Sequence, residues 1–345
     1  MTLREIGEFG LIQRIAERFP MSASLGPAEG APALCASGLG IGDDCAVIDR
    51  GGDELELVTT DLLIEGSHFL RDAISARQLG RKSLAVNLSD IAAMGGSCRA
   101  ALLSLALPEE LPVAWIDEFF DGVEDRLRDS GTTLIGGDTT RSAGPIVIQF
   151  TIIGSVTRAG IKVRGQAEAG DTVCVTDYLG DSGAGLQTLL EALPRDEAVE
   201  LLIERHLDPR PHLREGEWLG AAAAVHAMID LSDGLDSDIR RIMEQSRCGA
   251  EVVIEQLPIS RQLQRVAEAN GWQPWEFAVG GGEDYALLCC VETGAYAQLA
   301  AAFAREFGRE LFAVGHITEN RELLYRHGDR RVDPARLGFD HFRNE

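Results

Sequence analysis

Lysine is almost missing from this chain. Among 345 residues only Lys82 and Lys162 are lysines, and the net charge is −23. Non-specific nucleic-acid binding depends on basic side chains meeting phosphates, so the charge argues against that class. It argues against binding to an anionic membrane surface for the same reason. Paired cysteines are missing too. The seven cysteines, Cys35, Cys45, Cys98, Cys174, Cys248, Cys289 and Cys290, form no C-x-x-C pair, which argues against a zinc site. An odd, scattered set points to reduced thiols in a cytoplasmic protein. No stretch approaches the roughly 18 consecutive apolar residues of a membrane span. The first residues carry Glu5 and Glu8 in place of a basic-then-apolar leader pattern.

Several familiar phosphate and metal motifs are also absent. Gly80-Arg81-Lys82-Ser83 lacks the Gly-Lys step and the upstream glycine of a Walker A loop. Gly38-x-Gly40-x-Gly42 is not the dinucleotide fingerprint. Asp230 to Asp238 places its glycine one position too early for an EF-hand.

What remains is an ordinary globular composition, 45% hydrophobic and 25% charged, long enough for two domains. Glu54–Val58 alternates polar and apolar residues as a strand does and runs into Thr59-Thr60-Asp61. Ser75 and Gln78 form a capping box for a helix reaching about Met94. Pro112 opens another, with Trp115, Phe119, Val123 and Leu127 along one face. A strand is predicted at Ile146–Ile153. Further on, helices are predicted at Gly183–Ala192, Leu213–Val225 and Gly234–Ser246, with Gly249 as a stop. Strands are predicted at Glu251–Glu255, Ala286–Val291 and Leu311–Ile317. Residues 21–42, rich in Gly, Ala, Ser and Pro, read as a loop. These patterns predict a two-domain α+β or α/β chain with helices over mixed or antiparallel sheets, divided near Ser155–Gly170.

The distinctive feature is where the acids sit. They recur at glycine-rich turns beside apolar runs: Gly42-Asp43-Asp44, Thr59-Thr60-Asp61, Ser89-Asp90, Gly136-Gly137-Asp138-Thr139-Thr140-Arg141, Asp230-Leu231-Ser232-Asp233-Gly234 and Gly281-Gly282-Glu283-Asp284. One Asp beside Gly is ordinary turn or cap chemistry, and Asp233 could simply cap the helix after it. Asp90 is harder to explain that way, because its helix otherwise reads as buried. Ionised carboxylates are costly to bury unless paired or metal-bound. With so few lysines, magnesium shared with substrate phosphates is the natural countercharge.

In order along almost the whole chain, these segments resemble the thiamine-monophosphate kinase family. The resemblance is carried by Thr60-Asp61 with Glu65–Phe69, by Lys82–Met94, Gly136–Arg141, Ser232-Asp233-Gly234 and Gly281–Tyr285, and it extends from Gly7-Glu8-Phe9 to Gly338–Phe342. It implies membership of the superfamily that includes aminoimidazole-ribonucleotide synthetase, selenophosphate synthetase and a hydrogenase-maturation ATPase. It implies an N-terminal domain (1–155) that dimerises through its sheet, an α+β C-terminal domain (156–345), and an ATP cleft between them. It implies magnesium binding, through several ions, by Asp44, Thr59, Thr60, Asp61, Asp90, Asp138, Asp230 and Asp233. Gly137, Asp138, Arg164 and Ser232 match ATP-contacting positions. His68, Glu283 and Phe339 match positions that hold thiamine monophosphate. Read without the resemblance, His68 could be a packed core histidine, Arg164 a surface charge and Phe339 plain C-terminal packing. No general base or covalent nucleophile is expected.

The alternatives are another enzyme of the superfamily, such as aminoimidazole-ribonucleotide synthetase, or a protein that binds Mg-ATP without turnover. Selenophosphate chemistry is disfavoured because Cys35 has no lysine near it in sequence. The hydrogenase-maturation role is disfavoured because the chain ends without a cysteine.

Overall fold

The alternation that starts at Glu54 runs further than its first residues suggest. In the computed structural model, which describes residues 2–19, 37–335, 338, 341 and 342, it continues as one strand to Ile64. Leu55, Leu57, Thr59 and Leu63 are buried on one face of this strand, while Thr60 and Leu62 point to the other. Successive side chains of a strand alternate between faces, so Asp61 shares the inner face with Thr59.

The N-terminal sheet comprises β1 (Ser37–Leu39), β2 (Ala46–Asp49), β3 (Glu54–Ile64), β4 (Ser97–Leu107), β5 (Thr133–Arg141) and β6 (Val147–Thr157), in spatial order β1-β2-β3-β6-β4-β5. β3 and β6 pair antiparallel along their full lengths, from Glu54 opposite Thr157 to Ile64 opposite Val147. β5 is a parallel edge strand beside β4. Helix α1 (Leu3–Arg18), kinked at Gly7, precedes the sheet; α2 (Ala76–Ala93) and α3 (Val113–Ser130) lie between its strands in sequence.

The capping box at α2 forms as expected: Gln78 N donates to Ser75 Oγ at 3.2 Å, and Ser75 N donates to Gln78 Oε1 at 3.2 Å. α2 is buried almost throughout, lodged against β3, β6, α3 and the C-terminal half. Two glycines permit this. A Cβ on Gly80 would stand 2.1 Å from the Phe119 carbonyl oxygen, and one on Gly122 would stand 1.9 Å from that of Arg77. Backbone meets backbone at both points, so neither clash can be relieved by turning a side chain.

The second sheet comprises β7 (Thr172–Val175), β8 (Val225–Asp230), β9 (Gly249–Val253), β10 (Leu287–Val291), β11 (Phe312–Thr318), β12 (Leu323–His327) and β13 (Arg330–Val332). Its order is β13-β12-β9-β11-β7-β10-β8, antiparallel except for β12 beside β9. Around it stand α4 (Asp181–Leu190), α5 (Glu197–Leu207), α6 (Leu213–Gly220), α7 (Leu235–Ser246), α8 (Arg261–Asn270), α9 (Pro274–Gly280) and α10 (Thr293–Phe307). The molecule thus carries two mixed-sheet α+β units, and β8 lies against α2 of the first.

Three local expectations are corrected. Gly136–Arg141 is strand β5, where a glycine-rich turn was expected. The helix expected over Leu213–Val225 stops at Gly220, and Val225 already belongs to β8. The stop of α7 is Arg247, in the left-handed region at φ 57°, while Gly249 opens β9. A Cβ at Gly249 would lie 1.5 Å from the Asn320 carbonyl oxygen, so that glycine marks a close approach.

Candidate active site

Three carboxylates from separate parts of the chain meet in the fold. Asp44 lies just before β2, Asp90 on the inner face of α2, and Asp230 at the end of β8. Each can offer an oxygen within 4.8 Å of the others. Thr59 Oγ1 donates to Asp90 Oδ2 at 2.5 Å, and Ser89 Oγ donates to Asp230 Oδ2 at 2.7 Å. Asp61 joins from β3, its backbone N–H held by Asn87 Oδ1 at 2.8 Å.

The electrostatics are those of crowded, buried acids. Burial, then Asp61, Asp230 and Asp44, push the Asp90 carboxyl well above the usual range, and the Thr59 hydroxyl only partly relieves it. Burial and Asp44 raise Asp230 to about 8, and burial and Asp44 raise Asp61 to about 6. Burial and Glu8 raise Asp233 to about 7. Two like charges 4 Å apart repel by about 4 kcal/mol even at an effective dielectric of 20. A cation among these groups would favour their ionised forms. Hard carboxylate and hydroxyl oxygens converging on one point suit magnesium, so the donor set fits the expected ion.

Arg164 stands at the rim, on a single helical turn Arg164–Gln166. Its guanidinium donates to Asp44, and its backbone N–H donates to Asp43 Oδ2 at 3.1 Å. Burial works against its charge, but Asp44 and Asp43 outweigh burial and hold it protonated. Its side chain is only 17% exposed, which does not fit a surface charge.

A second group of residues gathers around Glu283. Its backbone N–H donates to the Ser232 carbonyl at 2.7 Å, which ties it to the loop between β8 and α7. Its carboxylate pairs with Lys82 Nζ at 2.9 Å and lies 3.2 Å from His206 Nδ1. His68 is close enough to feel the charge of Glu283. His68 Nδ1 accepts from Ile64 N at 3.0 Å, which leaves the ring proton on Nε2. Burial and then His341 lower its pKa, so the ring is neutral. The two imidazoles lie 4.8 Å apart.

Not every expected residue joins these clusters. Thr60 is on the outer face of β3, and its hydroxyl donates to the Phe150 carbonyl at 2.8 Å, so its side chain is turned away from the acids. Gly137 and Asp138 lie on the exposed edge strand β5. Gly137 has φ 153°, and a Cβ there would come within 1.7 Å of the Leu103 carbonyl oxygen, so only glycine lets β5 approach β4. Phe339 and the 21–36 segment lie outside the described residues.

The structure also adds residues that sequence reasoning passed over. Asp43 shares Arg164 with Asp44, and burial and Asp44 raise it to about 7. Asp238, buried on α7, accepts from the backbone N–H groups of Asp233 and Gly234 at 3.2 and 3.1 Å and so fixes that turn. The side chain of Asp233 does not cap α7, whose N-cap is Gly234. Lys82 and His206 hold Glu283. A lysine inside an apolar helical run was a usable signal for the first; no local pattern marks His206.

The sequence matches the N-terminal domain model of the AIR synthase related proteins over residues 42–156 and the C-terminal domain model over residues 168–326. It is 38% identical to the thiamine-monophosphate kinase of Escherichia coli K12 over 339 residues, covering 97% of this chain and 98% of that one. The fold matches a solved structure described as AaThiL complexed with AMPPCP and TMP, with a TM-score of 0.84, 31% identity and 99% of both chains covered. It also matches the thiamine-monophosphate kinase of Stenotrophomonas maltophilia K279a, with a TM-score of 0.74, 34% identity, and 83% of this chain and 90% of that one covered. The converging acids, the order of the motifs and the full-length likeness agree: the chain belongs to the thiamine-monophosphate kinase family.

Proposed function

We propose that this protein transfers the γ-phosphoryl group of ATP to the phosphate of thiamine monophosphate, giving thiamine diphosphate and ADP. The observation that carries this reading is the meeting of Asp44, Asp90 and Asp230, drawn from both halves of the molecule, beside a separate Glu283 and His68 group. One cluster suits a metal-bound polyphosphate and the other a second ligand. The solved relative described with AMPPCP and TMP supports that pairing of ligands.

Asp44, Asp90 and Asp230 would hold magnesium, with Asp61 and Asp233 beside them. Held there, magnesium would supply the positive charge that lets two phosphate groups approach each other. The acceptor is a phosphate monoester whose second pKa is near 6, so it is largely a dianion at neutral pH. It needs no general base. What this chain must do is position two anions in line and offset their repulsion. Arg164 stands at the rim of the acids, where its guanidinium can meet phosphate oxygens. Ser232 and the Gly137-Asp138 segment belong to the same reading as nucleotide contacts, and Phe339 as a surface for the thiamine ring. His68 presents an N–H donor and Glu283 an acceptor to the thiamine part.

The reading places the nucleotide between an N-terminal domain, 1–155, and a C-terminal domain, 156–345. It also makes the protein a homodimer. β5 is exposed along its length, Ile135 is 58% exposed, and Leu62 projects from the outer sheet face at 45%. Apolar side chains on an uncovered sheet face mark an interface. All six described cysteines are free, in keeping with a cytoplasmic protein, and among the described residues no helix is long and apolar enough to cross a membrane.

The test is ADP release in the presence of magnesium with thiamine monophosphate, thiamine, formylglycinamidine ribonucleotide and selenide as candidate acceptors. Turnover with thiamine monophosphate alone is expected. Turnover only with another acceptor, or none with any, overturns the reading. Transfer is direct, so labelled ATP without acceptor should leave no phosphate on the protein.

A further inference from the structure

Lys82 is among the largest completely buried side chains of the described residues. It sits in α2 among Leu79, Leu84, Val86 and Leu88, where methionine or leucine would fill the space without a charge to desolvate. Burying an ammonium is costly unless it is paired and hydrogen-bonded. Lys82 is both. Nζ donates to the His206 carbonyl at 3.0 Å and pairs with Glu283 Oε1 at 2.9 Å.

Glu283 is itself held in an unfavourable backbone state. Its φ is 64°, in the left-handed region that non-glycine residues avoid. Such states persist where the surroundings fix them, and they cluster at functional sites. The surroundings here are explicit: the Ser232 carbonyl on the main chain, Lys82 on one carboxylate oxygen and His206 Nδ1 on the other. The side chain remains 27% exposed, so part of the carboxylate still faces outward. Lys82 lies eight residues before Asp90 on the same stripe of α2, about 12 Å along the axis. One rigid helix therefore sets the spacing between the acidic cluster and Glu283.

We propose that Lys82, aided by His206, is a positioning residue that fixes Glu283 as an ionised acceptor for a hydrogen-bond donor on the thiamine moiety. The inference rests on the reading of Glu283 as a thiamine-phosphate contact. Burial alone would raise the Glu283 carboxyl, but the Lys82 ammonium beside it reverses this and holds it below the ordinary carboxylate value. Burial, reinforced by Lys82, brings His206 down to about 4, so it meets Glu283 as a neutral ring.

The experiment is steady-state kinetics of K82M, E283Q and the double variant at saturating magnesium, varying thiamine monophosphate and ATP separately. K82M and E283Q should each raise KM for thiamine monophosphate about tenfold, with KM for ATP within about twofold of wild type. The double variant should be no worse than E283Q, because Lys82 acts through Glu283. If E283Q raises that KM and K82M does not, the positioning role is wrong while the substrate reading stands. If E283Q leaves it unchanged, the substrate reading itself fails. A K82M that impairs both substrates equally also overturns the positioning role. The double variant removes both charges together and keeps the test open if K82M alone cannot fold: a KM matching E283Q supports the role, and a further threefold rise overturns it.

Discussion

Asp61 and Asp90 approach the same point from a strand and a helix, and each should be needed there. Replacing a carboxylate by an amide keeps the shape but removes a charge from a magnesium site. Asp61→Asn and Asp90→Asn are each expected to lower the rate at least tenfold at saturating magnesium. Near-wild-type rates would remove these residues from the site. The same acids make stability depend on pH. Asp230 is raised from 3.8 to about 8 and Asp233 from 3.8 to about 7, so the folded, metal-free protein keeps protons that the unfolded chain releases. The stability from these groups is fully present below about pH 4 and is lost as pH rises through 7 and 8. In chelator, their contribution should make the melting temperature fall between pH 5.5 and 8.5. Added magnesium should raise it more at pH 8 than at pH 6, and equal increments at both would contradict the assignment.

At the level of elements, α2 carries much of the design. It bears Lys82, Ser89 and Asp90, lines β3, and crosses α3 where Gly80 and Gly122 let the backbones touch. Gly122→Ala should cost about 2–3 kcal/mol in urea unfolding, because its Cβ would meet the Arg77 carbonyl. Gly144→Ala, where nothing lies within 4 Å, should change stability by less than about 0.5 kcal/mol. Much of α2 was legible beforehand, since the Ser75 and Gln78 capping box and the apolar run to Met94 are local signals. β5 was not. Its Gly136-Gly137-Asp138 run has the composition of a turn, and only the close approach to Leu103 explains why a strand there needs glycine. Thr60 was misplaced because the motif was read as a string, whereas the two-residue period of a strand sends Thr59 and Asp61 inward and Thr60 outward. The grip of His206 on Glu283 joins residues far apart in the chain, and no local pattern announces such a meeting.

For the whole molecule, the outer face of the N-terminal sheet should be where a second copy packs. A charge on the exposed edge strand beside that surface, Ile135→Asp, is expected to convert a dimer into a monomer in light scattering. An unchanged mass for the variant, or a monomeric wild type, would place the interface elsewhere or remove it.

The two lysines have a consequence for handling the protein as well as for its chemistry. Lys82 and Lys162 are 0% and 5% exposed, so the native fold offers reagents almost no ε-amine. Acylating probes, amine-directed cross-linkers and lysine acetyltransferases would find little to modify until the chain opens. The rate at which Lys82 becomes reactive would therefore report directly on how often the site comes apart.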